Sequence, residues 1–258
     1  MKKALIIQLA AYHLSFSMSK ALLVKATHRI AMIEETIGFN QSALDTFLFL
    51  AGMKGILTKK RRAFILYRIA KCYFKMSNYS MANEYNEESI KIKESLNHTR
   101  GLIFSYKLKA KIEAKHNLEQ AFKNADMAYK IAVDMALKKE VVSSGIVLAG
   151  ILNKMGEMDV AKKILHSLIP LSKEMGLTIR YRQILLELQS ISSSFSFNCL
   201  KKEAVLLRGL ESQEMRDLVS ELLLKLPMTL REQIDNFLAG VEPITPILRD
   251  SLSTVFQV

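Results

Sequence analysis

Apolar and small residues return along this chain at a fixed long interval, and that interval organises everything else. Four hexamers can be laid over one another: Gly38-Phe39-Asn40-Gln41-Ser42-Ala43, Ser77-Asn78-Tyr79-Ser80-Met81-Ala82, His116-Asn117-Leu118-Glu119-Gln120-Ala121 and Gly156-Glu157-Met158-Asp159-Val160-Ala161. Their closing alanines are 39, 39 and 40 residues apart. Thirteen positions before each alanine stands an apolar residue, Ile30, Ile69, Leu108 and Leu148. Nine positions before it stand Glu34, Tyr73, Ile112 and Leu152, so the first repeat is the most degenerate. A turn-forming residue that closes one helix, followed by an alanine on the next, describes a helical hairpin whose two members approach closely, since a larger side chain would push the axes apart.

The pattern predicts helix pairs over residues 24–62, 63–101, 102–141 and 142–181, with a weaker fifth pair over 182–211. In that fifth pair Leu185 and Leu188 mark one helix, the serine-rich stretch 192–198 breaks it, and a second helix resumes at Cys199. Residues 212–258 read as capping helices punctuated by Pro227, Gly240, Pro243 and Pro246. A cap is needed because the last repeat otherwise exposes an apolar face to water. Residues 1–23 hold one apolar helix, Ala4 to Phe16, with no preceding helix to pair with. It reads as a cap, as a homodimer contact, or as the second helix of a missing repeat in a longer protein.

With a small residue twelve positions before the alanine, as in Ala70 with Ser77-x-Tyr79-x-x-Ala82 and Ala149 with Gly156-x-Met158-x-x-Ala161, the repeat resembles the tetratricopeptide repeat (TPR). It departs from that family in a longer period, in Lys109 at the small position of the third unit, and in the absence of the tryptophan and terminal proline signatures. The long unit is similar to those of bacterial TPR regulators. The resemblance implies an all-α, right-handed α-solenoid of antiparallel helix pairs whose first helices line a concave inner wall. Carried onto this chain, the inner positions are Lys25, His28, Met32 and Glu35, then Phe64, Tyr67, Lys71 and Phe74, then Ile103, Tyr106, Ala110 and Glu113, then Ser143, Ile146, Gly150 and Asn153. Of these, Lys25, Phe64, Tyr67, Lys71, Phe74, Tyr106 and Asn153 are the candidate groove contacts for a peptide or protein partner.

Composition agrees with helices: only 10 Gly and 4 Pro occur in 258 residues, and all four prolines lie at or after Pro170. The net charge of +12 is uneven, at +5 for residues 1–60, +6 for 61–120, +3 for 121–180 and −2 for 181–258. The basic first half, densest at Lys59, Lys60, Arg61, Arg62 and Arg68, makes nucleic acid the alternative partner. A related alternative is the C-terminal sensor part of a transcriptional regulator. No apolar run is long enough to span a membrane. The start is too interrupted by Gln8 and His13 for a signal peptide, so a cytoplasmic location is expected.

Catalytic signatures are missing from the sequence: there is no G-x-S-x-G, no phosphate loop, no H-E-x-x-H and no C-x-x-C, so no enzyme activity, metal or cofactor is expected. Cys72 and Cys199 stand alone. The five histidines read as solvated residues, His98 and His116 in turns, and the pairs Glu34-Glu35 and Glu87-Glu88 as solvated helix faces. The sequons at Asn40, Asn78 and Asn97 read as chance matches.

Overall fold

The computed structural model describes residue 12, residues 20–53 and residues 57–191. The expected N-terminal helix, the second helix of the fifth pair and the capping helices lie outside the described residues, Tyr12 aside. Nine α-helices and no strand occur among the described residues: α1 (Lys20–Ile37), α2 (Asn40–Gly52), α3 (Lys59–Lys75), α4 (Tyr79–Ser95), α5 (Thr99–Glu113), α6 (Leu118–Asp134), α7 (Lys138–Lys154), α8 (Met158–Glu174) and α9 (Thr178–Ile191). First helices begin at residues 20, 59, 99, 138 and 178, which preserves the sequence period in space. The architecture is an α-solenoid of helix pairs.

Helices this short are marginal alone in water, so their stability comes from packing one against the next. Each second helix starts at the third residue of a hexamer, which makes the alanine its fourth residue. Ala43, Ala82, Ala121 and Ala161 are all fully buried. In α6 the small face continues as Ala121, Ala125, Ala128 and Ala132, every one buried, giving a ridge with no side chain beyond Cβ. At the α7–α8 contact, a methyl on Gly145 would come within 2.8 Å of Leu168 Cδ1 and 3.1 Å of Tyr129 Cε2, so both side chains pack directly onto the Gly145 backbone. Lys109 fills the small position of the third pair by carrying its ammonium out to Glu87 Oε1, 2.5 Å away.

The turns share a backbone solution. Schellman pairs of hydrogen bonds close α3, α4, α6, α7 and α8, for example Leu137 N to the Ala132 carbonyl with Ala136 N to the Val133 carbonyl. The residue at the crossing is left-handed each time: Ser77, Asn97, Ala136, Gly156 and Gly176, with φ of 62°, 49°, 50°, 89° and 61°. The next helix is then capped by a side chain where one is suitable: Asn78 accepts from Met81 N, His98 from Gly101 N and Asn117 from Gln120 N. Two of the three sequons, at Asn78 and Asn97, thus belong to this turn grammar.

The chain divides into two compact units, one running to Tyr85 and the other beginning at Asn86. In the first, Leu23, Val24 and Ile30 of α1 pack with Leu44, Phe47 and Leu50 of α2 and with Ile65, Ile69 and Cys72 of α3. In the second, Val142, Leu148, Ile151 and Leu152 of α7 form the centre, closed by Ala121 and Ala125 of α6, Leu165 and Leu168 of α8, and Ile184 and Leu188 of α9.

Two stability changes of opposite sign follow. Ala121→Leu is expected to destabilise by about 1–3 kcal/mol through overpacking of the ridge. Ala136→Gly is expected to stabilise by about 0.5–1 kcal/mol, because an exposed left-handed residue loses its Cβ clash for a smaller loss in chain entropy. Urea unfolding of the two variants against the parent chain measures both.

Candidate binding face

In the first unit, α3 sets Phe64, Tyr67, Lys71 and Phe74 along one face, all half-buried. Phe74 tilts against Tyr79 at 5.7 Å between ring centres, and the Arg68 guanidinium lies 5.8 Å from the centre of the Tyr67 ring. Lys25 is exposed on α1.

Lys71 is not a free groove cation. It reaches 2.8 Å to a carboxylate oxygen of Glu35, which also meets Arg68 at 3.0 Å and Lys75 at 2.7 Å. Glu35 is fully buried at the end of α1, and Lys75 also donates to its main-chain carbonyl. Burial alone would raise the Glu35 pKa, but the charge of Lys71, the hydrogen bonds from Lys71 and Lys75, and the charge of Arg68 outweigh it and hold the carboxyl below its ordinary value. Lys71 is itself lowered by burial, against the pull of Glu35.

The expectation of a solvated Glu34-Glu35 face is therefore corrected: both residues are fully buried. Neighbours on a helix point about 100° apart, and α1 packs against both α2 and α3. In the other acidic pair, Glu88 is exposed and Glu87 is half-buried against Lys109.

His28 is a second correction. Rather than a solvated histidine, it packs on Phe47 at 5.5 Å between ring centres, with Nε2 buried and unpaired. Burial, then the charges of Arg68, Arg61 and Arg29, push its pKa down to about 4. His98 and His116 do occupy turns and His166 is exposed, whereas His13 is outside the described residues. Cys72 is buried, and burial together with Glu35 pushes its thiol up to about 12, which makes it a poor nucleophile.

In the second unit, Tyr106 is half-buried, and its hydroxyl donates to Glu94 at 3.0 Å. Asn153 is half-buried at the end of α7. Three residues expected on the inner wall, Ile103, Ala110 and Ile146, lie in the core instead. The polar contacts between α5 and α7 come from one position further round α5: Arg100 binds Glu140 at 2.6 Å and Lys107 binds Ser143 at 2.6 Å, with Lys107 4.8 Å over the Phe104 ring. Between α4 and α5 runs a buried polar seam in which Asn86 donates to the Ser105 carbonyl and Lys93, only 1% exposed, donates to the Ser105 hydroxyl at 2.6 Å.

Sequence reasoning placed Arg61 and Arg68 in the basic cluster for nucleic acid and not on the peptide face, and it passed over Lys75. Their seven-residue spacing was the available signal, since it places them on one stripe of α3 beside the one that was chosen. Among the described residues no cluster of His, Cys, Asp or Glu could hold a metal, and no helix is long and apolar enough to cross a membrane.

No model of a known protein family matches this sequence, and no curated protein matches it. Solved structures do match. The TPR-like repeats of a candidate kinesin light chain from Podosopora anserina align at a TM-score of 0.55 and 15% identity over 80% of this chain and 96% of that one. BtubC from P. vanneervenii aligns at 0.61 and 15% over 80% and 90%. A signal-transduction ATPase with a tetratricopeptide repeat sensor from Pyrococcus horikoshii aligns at 0.57 and 18% over 83% of this chain, and the match spans 30% of that one. These likenesses, with the helix pairs described above, define a helical repeat protein with the TPR-like fold.

Unfolding across pH tests the environment of His28. Its folded value, about 4, lies below the unfolded value of 6.5, so the unfolded chain binds more protons between the two. Stability from His28 is present above pH 6.5 and is lost as pH falls towards 4, by about 3 kcal/mol in all. Glu35, also lowered, adds a further loss at more acid pH. His28→Leu should flatten the segment between pH 4 and 6.5 in urea unfolding, and an unchanged slope would contradict the assigned environment.

Proposed function

We propose that this chain is a non-catalytic, regulatory protein-interaction module of the cytoplasm. It holds an extended peptide segment of a protein partner on the face made by the first helices of its repeats. The observation that carries this reading is α3, where half-buried Phe64, Tyr67 and Phe74 alternate with Arg68, Lys71 and Lys75. Aromatic rings supply apolar area at low entropic cost, and the cations between them can meet carbonyls or carboxylates of a bound chain. Stacked repeats give such an extended surface without any reactive centre. Lys25 on α1 is assigned to the same role within the first unit, and Tyr106 on α5 and Asn153 on α7 are assigned peptide contacts within the second. The sensor named in the Pyrococcus horikoshii ATPase supports a second reading, a sensing segment in a larger regulator, by fold-level analogy.

Crosslinking followed by mass spectrometry of co-purified material tests the proposal. The expected result is a captured peptide joined to α3, with affinity reduced at least about ten-fold in Tyr67→Ala/Phe74→Ala at unchanged thermal stability. Capture unaffected by that pair of changes would refute the assigned face.

A further inference from the structure

Within the first unit, α1 and α3 lie side by side with the same polarity: Arg61 bonds the Ala21 carbonyl at 3.4 Å near one end, and Arg68 and Lys75 bond Glu35 near the other. Residues 21, 28 and 35 on α1 and 61, 68 and 75 on α3 repeat every seven positions, so each set forms a stripe along its helix. Arg61, Arg68, Lys71 and Lys75 lie between positions 61 and 75 of α3, which are about 21 Å apart along the helix axis.

Charge along this seam does not balance. Among the described residues one carboxylate, Glu35, stands against four cations, and it is fully buried. The next α1 residue along the stripe is His28, held neutral, whose buried Nε2 has no hydrogen-bond partner among the described residues. The cations are not sealed in: the Arg68, Lys71 and Lys75 side chains are 21%, 33% and 31% exposed. Partly desolvated cations of this kind attract an anion more strongly than lysines in open water, because the local dielectric is lower.

We propose that the partner segment is acidic, and that its side-chain carboxylates lie along the cationic seam of Arg61, Arg68 and Lys71 beside the resident Glu35. The inference rests on the peptide-binding reading and names the chemistry of that peptide. Spread over about 21 Å, the excess charge suits an extended run of Asp and Glu better than one compact anion. Glu35 draws Arg68, Lys71 and Lys75 into place, so the seam is preorganised for the ligand's carboxylates.

The test uses the full chain and a fluorescent hexaglutamate peptide, acetylated and amidated so that no terminal charge contributes, at an ionic strength of about 0.1 M, where charges beyond about 10 Å are screened. Binding measured by fluorescence anisotropy is expected to weaken at least about five-fold in both Arg61→Gln and Lys71→Gln, and to stay within about two-fold in Lys139→Gln, an exposed lysine of α7. Arg61→Gln guards against misfolding, since Arg61 makes no contact with Glu35 among the described residues and its one side-chain hydrogen bond is the long one to Ala21. Equal weakening in Arg61→Gln and Lys139→Gln would reveal only diffuse charge and overturn the proposal. Competition by millimolar inorganic phosphate as effective as unlabelled peptide would overturn it in favour of a compact anion. A crosslinked partner peptide on α3 that keeps its affinity in Arg61→Gln would sink the acidic seam and leave the peptide reading standing, whereas no peptide on α3 would sink both.

Discussion

Close approach of helix backbones is the constraint on which this protein is built. A first helix can pack against the second only where the second offers nothing larger than a methyl group, and Ala43, Ala82, Ala121 and Ala161 supply that point four times, each fully buried. Leu or Ile at those places would add favourable apolar area, yet the axes would separate and the adjoining turn would lose its geometry. That turn is tightly drawn: only the crossing residue lies in the left-handed region in the Schellman closures after α3, α4, α6, α7 and α8. The small residue and the turn work together, because the turn fixes where the second helix begins and the alanine fixes how near it lies.

This coupling explains why the fold was legible in the sequence. Hexamers that join a turn residue to an alanine are a local signal, and their spacing of 39 or 40 positions carries the global one. The candidate face was less legible, because a helix stripe one position away is equally periodic. On α5 the choice of Ile103 and Ala110 fell on core residues, and Arg100 and Lys107 make the contacts to α7. On α3 the chosen stripe contained Lys71 but passed over Arg68 and Lys75. Glu35 and His28 were misjudged for another reason. Polar residues on a helix are normally solvated, and nothing local announces that three cations from a helix thirty or more positions later will cover a carboxylate.

The burial of Glu35 involves competing effects of similar size. Removing a carboxylate from water is costly, and a cluster of like-charged cations is costly as well; placing the two together offsets both. Neutralisation is incomplete at the protein's own expense, since three cations meet one anion at 2.7–3.0 Å. His28 records that excess: beyond the effect of burial, Arg68, Arg61 and Arg29 lower its pKa further. An apolar residue in place of Glu35 would relieve the burial of charge but leave Arg68, Lys71 and Lys75 repelling one another without a fixed arrangement.

Polar contacts between successive first helices also answer a problem that repetition creates. Repeats with similar apolar faces and the same alanine contact can stack in shifted registers at little cost, whereas a buried ion or hydrogen bond is satisfied in one register only. In the first unit Glu35 meets Arg68 and Lys75 only when α1 and α3 are in step, and in the second Glu140 meets Arg100 and Ser143 meets Lys107 when α5 and α7 are. The partners of each pair stand 33 to 40 residues apart in sequence, close to one repeat. A slip by one helical turn would move a first helix by about 5.4 Å and strand Glu35 as a buried, unpaired charge. The charged seams therefore select the register that the alanines alone would leave degenerate, and in the first unit the same selection leaves cations where a ligand can reach them.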